Sequence, residues 1–201
     1  MNFLAHIYLS GISDEIKIGN LLGELVKGNL DNPRNEGFSL GVKKGISLHR
    51  SIDYFTDNHL IVRKSVAKIR PLQGRFSGIC LDILYDYFLA SKFDLYTSKP
   101  LAQFSEEFYE LLTDKMDTLP HQILPMVNSM ISRDWFGMYA KQDGIRWAFL
   151  GMSKRIKTEN RLLYFFDEIL PNINEFENDF SIFFDELITF CEIQIGQKLR
   201  I

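Results

Sequence analysis

Two of the four histidines, His49 and His59, lie in one stretch, KKGISLHRSIDYFTDNHLIVRKSVAK, from Lys43 to Lys68. If this stretch is helical, His49, Asp53 and Asp57 project at roughly 0°, 40° and 80° about the axis, so one face presents an imidazole and two carboxylates. Neutral imidazole and ionised carboxylate are ligands for which Mn²⁺, Zn²⁺ and Fe²⁺ compete. Asp82 and Asp86 repeat the four-residue spacing inside the apolar run CLDILYDYFL, where acids are costly unless something positive compensates them. Each group also has a structural reading. Asp57 suits the cap of a helix beginning near His59. His49 suits a hydrogen-bonded core histidine, and Asp82 and Asp86 suit salt bridges to Arg50 or Arg75. Spacing leaves both sets of readings open.

The elements that must position these groups read as helices throughout. Apolar residues recur at intervals of three and four, and period-two alternation is scarce. The pattern predicts helices over 16–26, 41–55, 59–69 (stopped by Pro71), 78–93, 100–113, 144–157 and 174–195, with Pro120 and Pro125 at the entry to another. LDNPRNEGFS is the clearest loop. In the last segment Phe176, Phe180, Phe183, Leu187 and Phe190 form a packing stripe. With 201 residues, 17 Phe and 8 Tyr, the chain can bury one core. The expectation is a single all-α domain over 1–201, a helical bundle.

Charge and hydropathy narrow the partners. The net charge is −3, yet residues 41–75 hold eight Lys and Arg against two Asp. A basic segment in an acidic chain suits an anionic partner. No apolar run reaches the ~18 residues of a membrane span, and MNFLAHIYLSGISDE lacks the basic region of a signal peptide. Cys80 and Cys191 have no CxxC partner, so a cytoplasmic protein with reduced thiols is expected, bound to no membrane. Gly-rich phosphate loops, GxSxG, HExxH and zinc-finger spacings are absent. Nucleic-acid binding has no reader motif to support it.

Five blocks together resemble the acyl carrier protein phosphodiesterase family, relatives of the HD-type metal-dependent phosphohydrolases. They are MNFLAHIYLS at the start, GNLLGELVKG at 19–28, GISLHRSIDYFTDNH at 45–59, LDILYDYFLA at 81–90 and SRDWFGMYAKQDGIRWAFLGMSKR at 132–155. The resemblance covers nearly the whole chain. It implies an HD-domain-like helical bundle and a Mn²⁺-dependent hydrolysis (other divalent ions being open) that removes 4′-phosphopantetheine from the serine of holo-acyl carrier protein.

Carried over by position, the resemblance gives Glu24, His49, Asp53, Asp57 and Asp86 as metal ligands. Asp53 or Glu24 would be the base, and Arg50 the group that offsets phosphate charge. His6, His59, Asp82 and Tyr87 are further site candidates. Lys43, Lys44, Arg63, Lys64 and Lys68 would steer the acidic carrier protein. Two positions depart from the pattern: Glu24 replaces an aspartate and Tyr87 a histidine. Those departures keep two alternatives in view, a phosphohydrolase for another phosphate ester and a catalytically impaired relative that only binds the carrier protein.

Overall fold

The computed structural model describes residues 1–200, which form eleven α-helices and, among the described residues, no strand. They are α1 (Phe3–Tyr8), α2 (Asp14–Leu22), α3 (Leu40–Asn58), α4 (Leu60–Gln73), α5 (Ser77–Ser91), α6 (Leu101–Asp114), α7 (Leu124–Ser132), α8 (Trp135–Tyr139), α9 (Gln142–Arg155), α10 (Leu162–Ile169) and α11 (Ile173–Ile195). Local chemistry starts several of them. Ser13 accepts from the Ile16 N–H at α2, Ser39 from Val42 N–H at α3, and Asp134 from Gly137 N–H at α8. Each cap satisfies an amide that has no partner inside its own helix.

α5 is the hub. Cys80, Leu81, Ile83, Leu84, Tyr85, Phe88 and Leu89 are all buried, so it is apolar on every side and must be enclosed. Helices α1, α4, α8, α9, α10 and α11 pack around it. The aromatic stripe of α11 fills one side: Phe180 and Phe183 lie 5.1 and 5.6 Å from the Tyr85 ring. Phe190, half-buried, stacks on Phe55 at 4.7 Å. Cys80 and Cys191 are buried free thiols, each pushed up by burial.

Three boundaries differ from the periodicity. The predicted 16–26 helix ends at Leu22, and the N–H groups of Leu25 and Val26 both donate to the Leu22 carbonyl in a turn. The apolar pattern therefore outlasts the helix. Pro71 does not stop α4, which runs to Gln73. A proline has helical φ and forfeits one hydrogen bond there, and the freed carbonyl belongs to the exposed Ala67. α3 continues to Asn58 and carries Asp57 inside it, while His59 is the residue before α4. Asp57 is thus not a cap.

α2 and α3 cross so closely that their backbones touch. A Cβ on Gly19 would lie 2.1 Å from the Val42 carbonyl oxygen, and one on Gly45 would lie 2.3 Å from that of Ile16. Both obstacles are backbone, so the helices themselves would have to part. Gly45→Ala is expected to destabilise the protein by roughly 1–3 kcal/mol despite its better helix propensity. Gly78→Ala in α5, which meets nothing, should be neutral or mildly stabilising. Thermal melts of the two variants check this.

Candidate metal centre

The close crossing places Asn20 of α2 against His49 of α3, and α1 brings His6 to the same point. The two imidazole rings stack with centroids 4.2 Å apart. His6 Nδ1 lies 2.8 Å and His49 Nδ1 3.2 Å from Asn20 Oδ1. The Asn20 amide cannot be turned round, because its Nδ2 donates to the His6 backbone carbonyl and to Ser10 Oγ, each at 2.9 Å. A carbonyl only accepts, so Oδ1 must face the rings and both rings must donate through Nδ1–H. Gly23 makes room: a Cβ there would lie 2.2 Å from His49 Cγ.

Both Nε2 atoms then point at one carboxylate. His6 Nε2 is 3.2 Å from Asp53 Oδ1 and His49 Nε2 is 3.2 Å from Asp53 Oδ2. Burial works to raise the Asp53 carboxyl, and the two imidazoles beside it would hold it well below the ordinary carboxylate range only if they carried protons on Nε2. For His6, burial outweighs the pull of Asp53 and, with His49 nearby, lowers its pKa. A neutral ring whose only hydrogen is on Nδ1 offers a lone pair at Nε2, and His6 Nε2 is a buried atom without a hydrogen-bond partner. Two lone pairs and an anion thus converge, their ligand atoms within 4.8 Å of one another. Acceptors without a proton between them call for a cation. The separation agrees, since neighbouring ligands on an ion with ~2.1 Å bonds stand about 3 Å apart. The donor set of two imidazoles and a carboxylate suits a first-row divalent metal.

The structure sorts the other expected residues. Asp86, fully buried on α5, accepts from the Leu4 N–H at 2.8 Å and the Ala5 N–H at 3.1 Å. Its oxygens therefore serve the start of α1, whose own Asn2 makes no cap bond. Burial raises its carboxyl to about 7 against the pull of those amides. Asp82 pairs with the Met1 amine at 3.0 Å. Neither acid pairs with Arg50, which donates to the Val26 carbonyl, or with Arg75, which donates to Thr158 Oγ1.

Asp57 is exposed at the end of α3; burial and then its neighbours Asp82 and Asp53 raise its carboxyl. Glu24 is exposed on the turn after Gly23 and outside the cluster. His59 bonds Glu186 at 3.1 Å and stacks on Phe55, away from the cluster. The half-buried Tyr87 packs edge-on against Phe166 at 5.3 Å, so that departure does not touch the centre. Lys68 is held by Glu175 and Asp179 at 2.8 and 3.0 Å, tying α4 to α11 rather than lying free for a partner. Among the described residues Lys43, Lys44, Arg63 and Lys64 have no ion pair. Sequence reasoning passed over Asn20; a lone amide on the buried side of an apolar helix was the available signal.

Comparison with known proteins identifies one family. The family described as "Acyl carrier protein phosphodiesterase" matches residues 1–187. A protein of that name from Klebsiella pneumoniae (strain 342) is 27% identical over 193 residues, 96% of this chain and 98% of its own. One from Escherichia coli O6:H1 is 33% identical over 156 residues, 77% of this chain and 79% of its own. Another from Enterobacter sp. (strain 638) is 31% identical over the same shares. No solved structure matches.

Asn20→Ala frees both rings to rotate and change tautomer. If the cluster holds Mn²⁺, the variant should bind it about 10- to 100-fold more weakly, read by calorimetry, with little change in helix content. Acid should act on the same atoms. Below the ordinary imidazole value of 6.5 the unfolded chain takes up a proton that folded His6 resists. Stability of the metal-free protein is therefore expected to fall as pH drops below that value, and metal affinity with it. Melting and binding curves from pH 8 to 5 check the sign.

Proposed function

This chain belongs to the acyl carrier protein phosphodiesterase family, and on that premise we propose that it hydrolyses the phosphodiester joining 4′-phosphopantetheine to the serine of holo-acyl carrier protein. We further propose that a divalent cation, of the Mn²⁺ kind, is held by His6, His49 and Asp53. The observation that carries the metal reading is the convergence of two Nε2 lone pairs on one ionised carboxylate, 3.2 Å from each. Charge supports it as well. Asp53, Asp57 and Asp82 lie close enough to perturb one another, and without a cation they would repel a phosphodiester anion.

When bound, such an ion polarises phosphoryl oxygens and lowers the pKa of water at neutral pH. The chain's own residues do the rest. Asn20 holds both rings in the tautomer that presents Nε2. Asp53, with an oxygen toward each imidazole, is a ligand and not the base. Asp57, one turn further along α3, has a carboxyl raised above the ordinary value, which suits it to take a proton from the attacking water. Arg50 spends one N–H on the Val26 carbonyl and keeps others for a phosphate oxygen. Glu24 sits at the rim.

Lys43 and Lys44 lie near the start of α3 and Arg63 and Lys64 in the first turn of α4, so the centre lies along the chain between two basic stretches. That arrangement fits approach by an acidic protein. A cytoplasmic setting belongs to the same proposal. Its support is that the two cysteines are buried thiols and that, among the described residues, no helix is long and apolar enough to cross a membrane.

Intact-mass analysis of holo-acyl carrier protein incubated with the protein tests the reaction. Loss of the phosphopantetheine mass is expected with Mn²⁺ and none with chelator; an unchanged mass under both conditions, with a substrate that an active relative cleaves, would sink it. Asp57→Asn should lower kcat by about 10²–10⁴-fold while metal content stays intact. Loss of the metal in that variant would instead make Asp57 a ligand.

A further inference from the structure

The chain has two tryptophans, and the fold brings both, Trp135 of α8 and Trp147 of α9, to one cavity of about 200 Å³. Asn2 and Phe3 line it at the start of α1, Tyr139 at the end of α8 and Gly151 on α9. Mostly apolar walls with a few polar groups are the make-up of a small-molecule site. Two features point to an occupant. Trp135, half-buried, leaves apolar ring surface uncovered beside Phe3 and Trp147. A Cβ at Gly151 would meet no atom, so the α9 wall of the cavity is left open where a long side chain would fill it.

The cavity also lies near the metal centre: Asn2 on its wall follows Met1, whose amine pairs with Asp82 at 3.0 Å and is close enough to Asp53 to feel its charge. Phe3 stands one turn, ~5 Å, before His6 on α1. Ile83, another of its walls, directly follows Asp82. A substrate whose phosphate lies at the cluster would have its flexible tail within reach of these walls.

Resting on the function proposed above, we infer that this cavity receives the thiol end of the pantetheine arm. The two-carbon thiol tail, free or carrying a short acyl thioester, lies against Phe3, Trp135 and Trp147, with the arm's terminal amide toward Asn2 and Tyr139. At ~30 Å³ for a small group, a volume of about 200 Å³ holds the amide, the tail and a short chain. The arm is thereby anchored at both ends, by its phosphate and by its thiol terminus, and is recognised apart from the carrier protein.

The tryptophans supply the readout. Intrinsic fluorescence of the full chain is titrated with pantetheine and with S-butanoyl pantetheine, neither of which has a phosphate or a carrier protein. A saturable change is expected in the parent protein and in Gly78→Ala, which lies outside the cavity. Gly151→Leu, which fills the cavity, should remove it. With holo-acyl carrier protein, Gly151→Leu should raise KM at least about tenfold with metal content unchanged. Absence of a saturable change in the parent protein, or a Gly151→Leu variant that binds and cleaves like it, overturns the inference. The two readings fail separately. Pantetheine binding that Gly151→Leu abolishes, in a protein that does not cleave holo-acyl carrier protein, keeps the cavity and removes the proposed reaction. Cleavage that Gly151→Leu leaves untouched does the reverse.

Discussion

The orientation of one buried amide governs the centre. Asn20 donates to the His6 carbonyl and to Ser10, and its oxygen therefore receives Nδ1–H from two stacked imidazoles. That fixes both tautomers and both ring rotations, and turns two Nε2 lone pairs toward Asp53. The arrangement needs α2 and α3 in backbone contact, which Gly19 and Gly45 allow, and a bare position at Gly23 beside the His49 ring. Stability and chemistry are joined here. The glycines that let the helices approach also set the distance between Asn20 and His49.

A second constraint holds the third partner. α1 is six residues long, too short to be stable alone, and it carries His6. Asp86 reaches from the central helix to the first free amides of α1. A carboxylate at a helix start satisfies donors and complements the dipole. The acid that looked anomalous inside an apolar run is thus a fastening between the hub of the core and the short helix. It acts on the centre by fixing where His6 stands.

Charge is divided by role. Lys68, with Glu175 and Asp179, joins helices, whereas among the described residues Lys43, Lys44, Arg63 and Lys64 have no ion pair in the chain. The acids Asp53, Asp57 and Asp82 gather near the imidazoles, where the proposed cation would offset them. On that proposal a phosphate on an acidic carrier protein would meet positive charge twice, at a distance along α3 and α4 and again at the centre. The tryptophan-lined cavity would add an apolar contact that depends on neither.

By itself the sequence determined the helical class and the packing stripe of α11, because periodicity follows from which side chains must leave water. It also put His49 and Asp53 on one face, since a spacing of four is fixed by helix geometry. Resemblance supplied the chemistry. The tertiary structure alone decided which acids do what. Asp82 and Asp86 share a helical face as Asp53 and Asp57 do, yet one pairs with an amine, one holds α1 and one faces two imidazoles. His6 joined the centre and His59 did not, although both were candidates in sequence. Asn20 carried no spacing signal at all. Its role arises because a helix crossing and a short helix meet at its amide, and such contacts between distant segments have no periodic signature in one dimension.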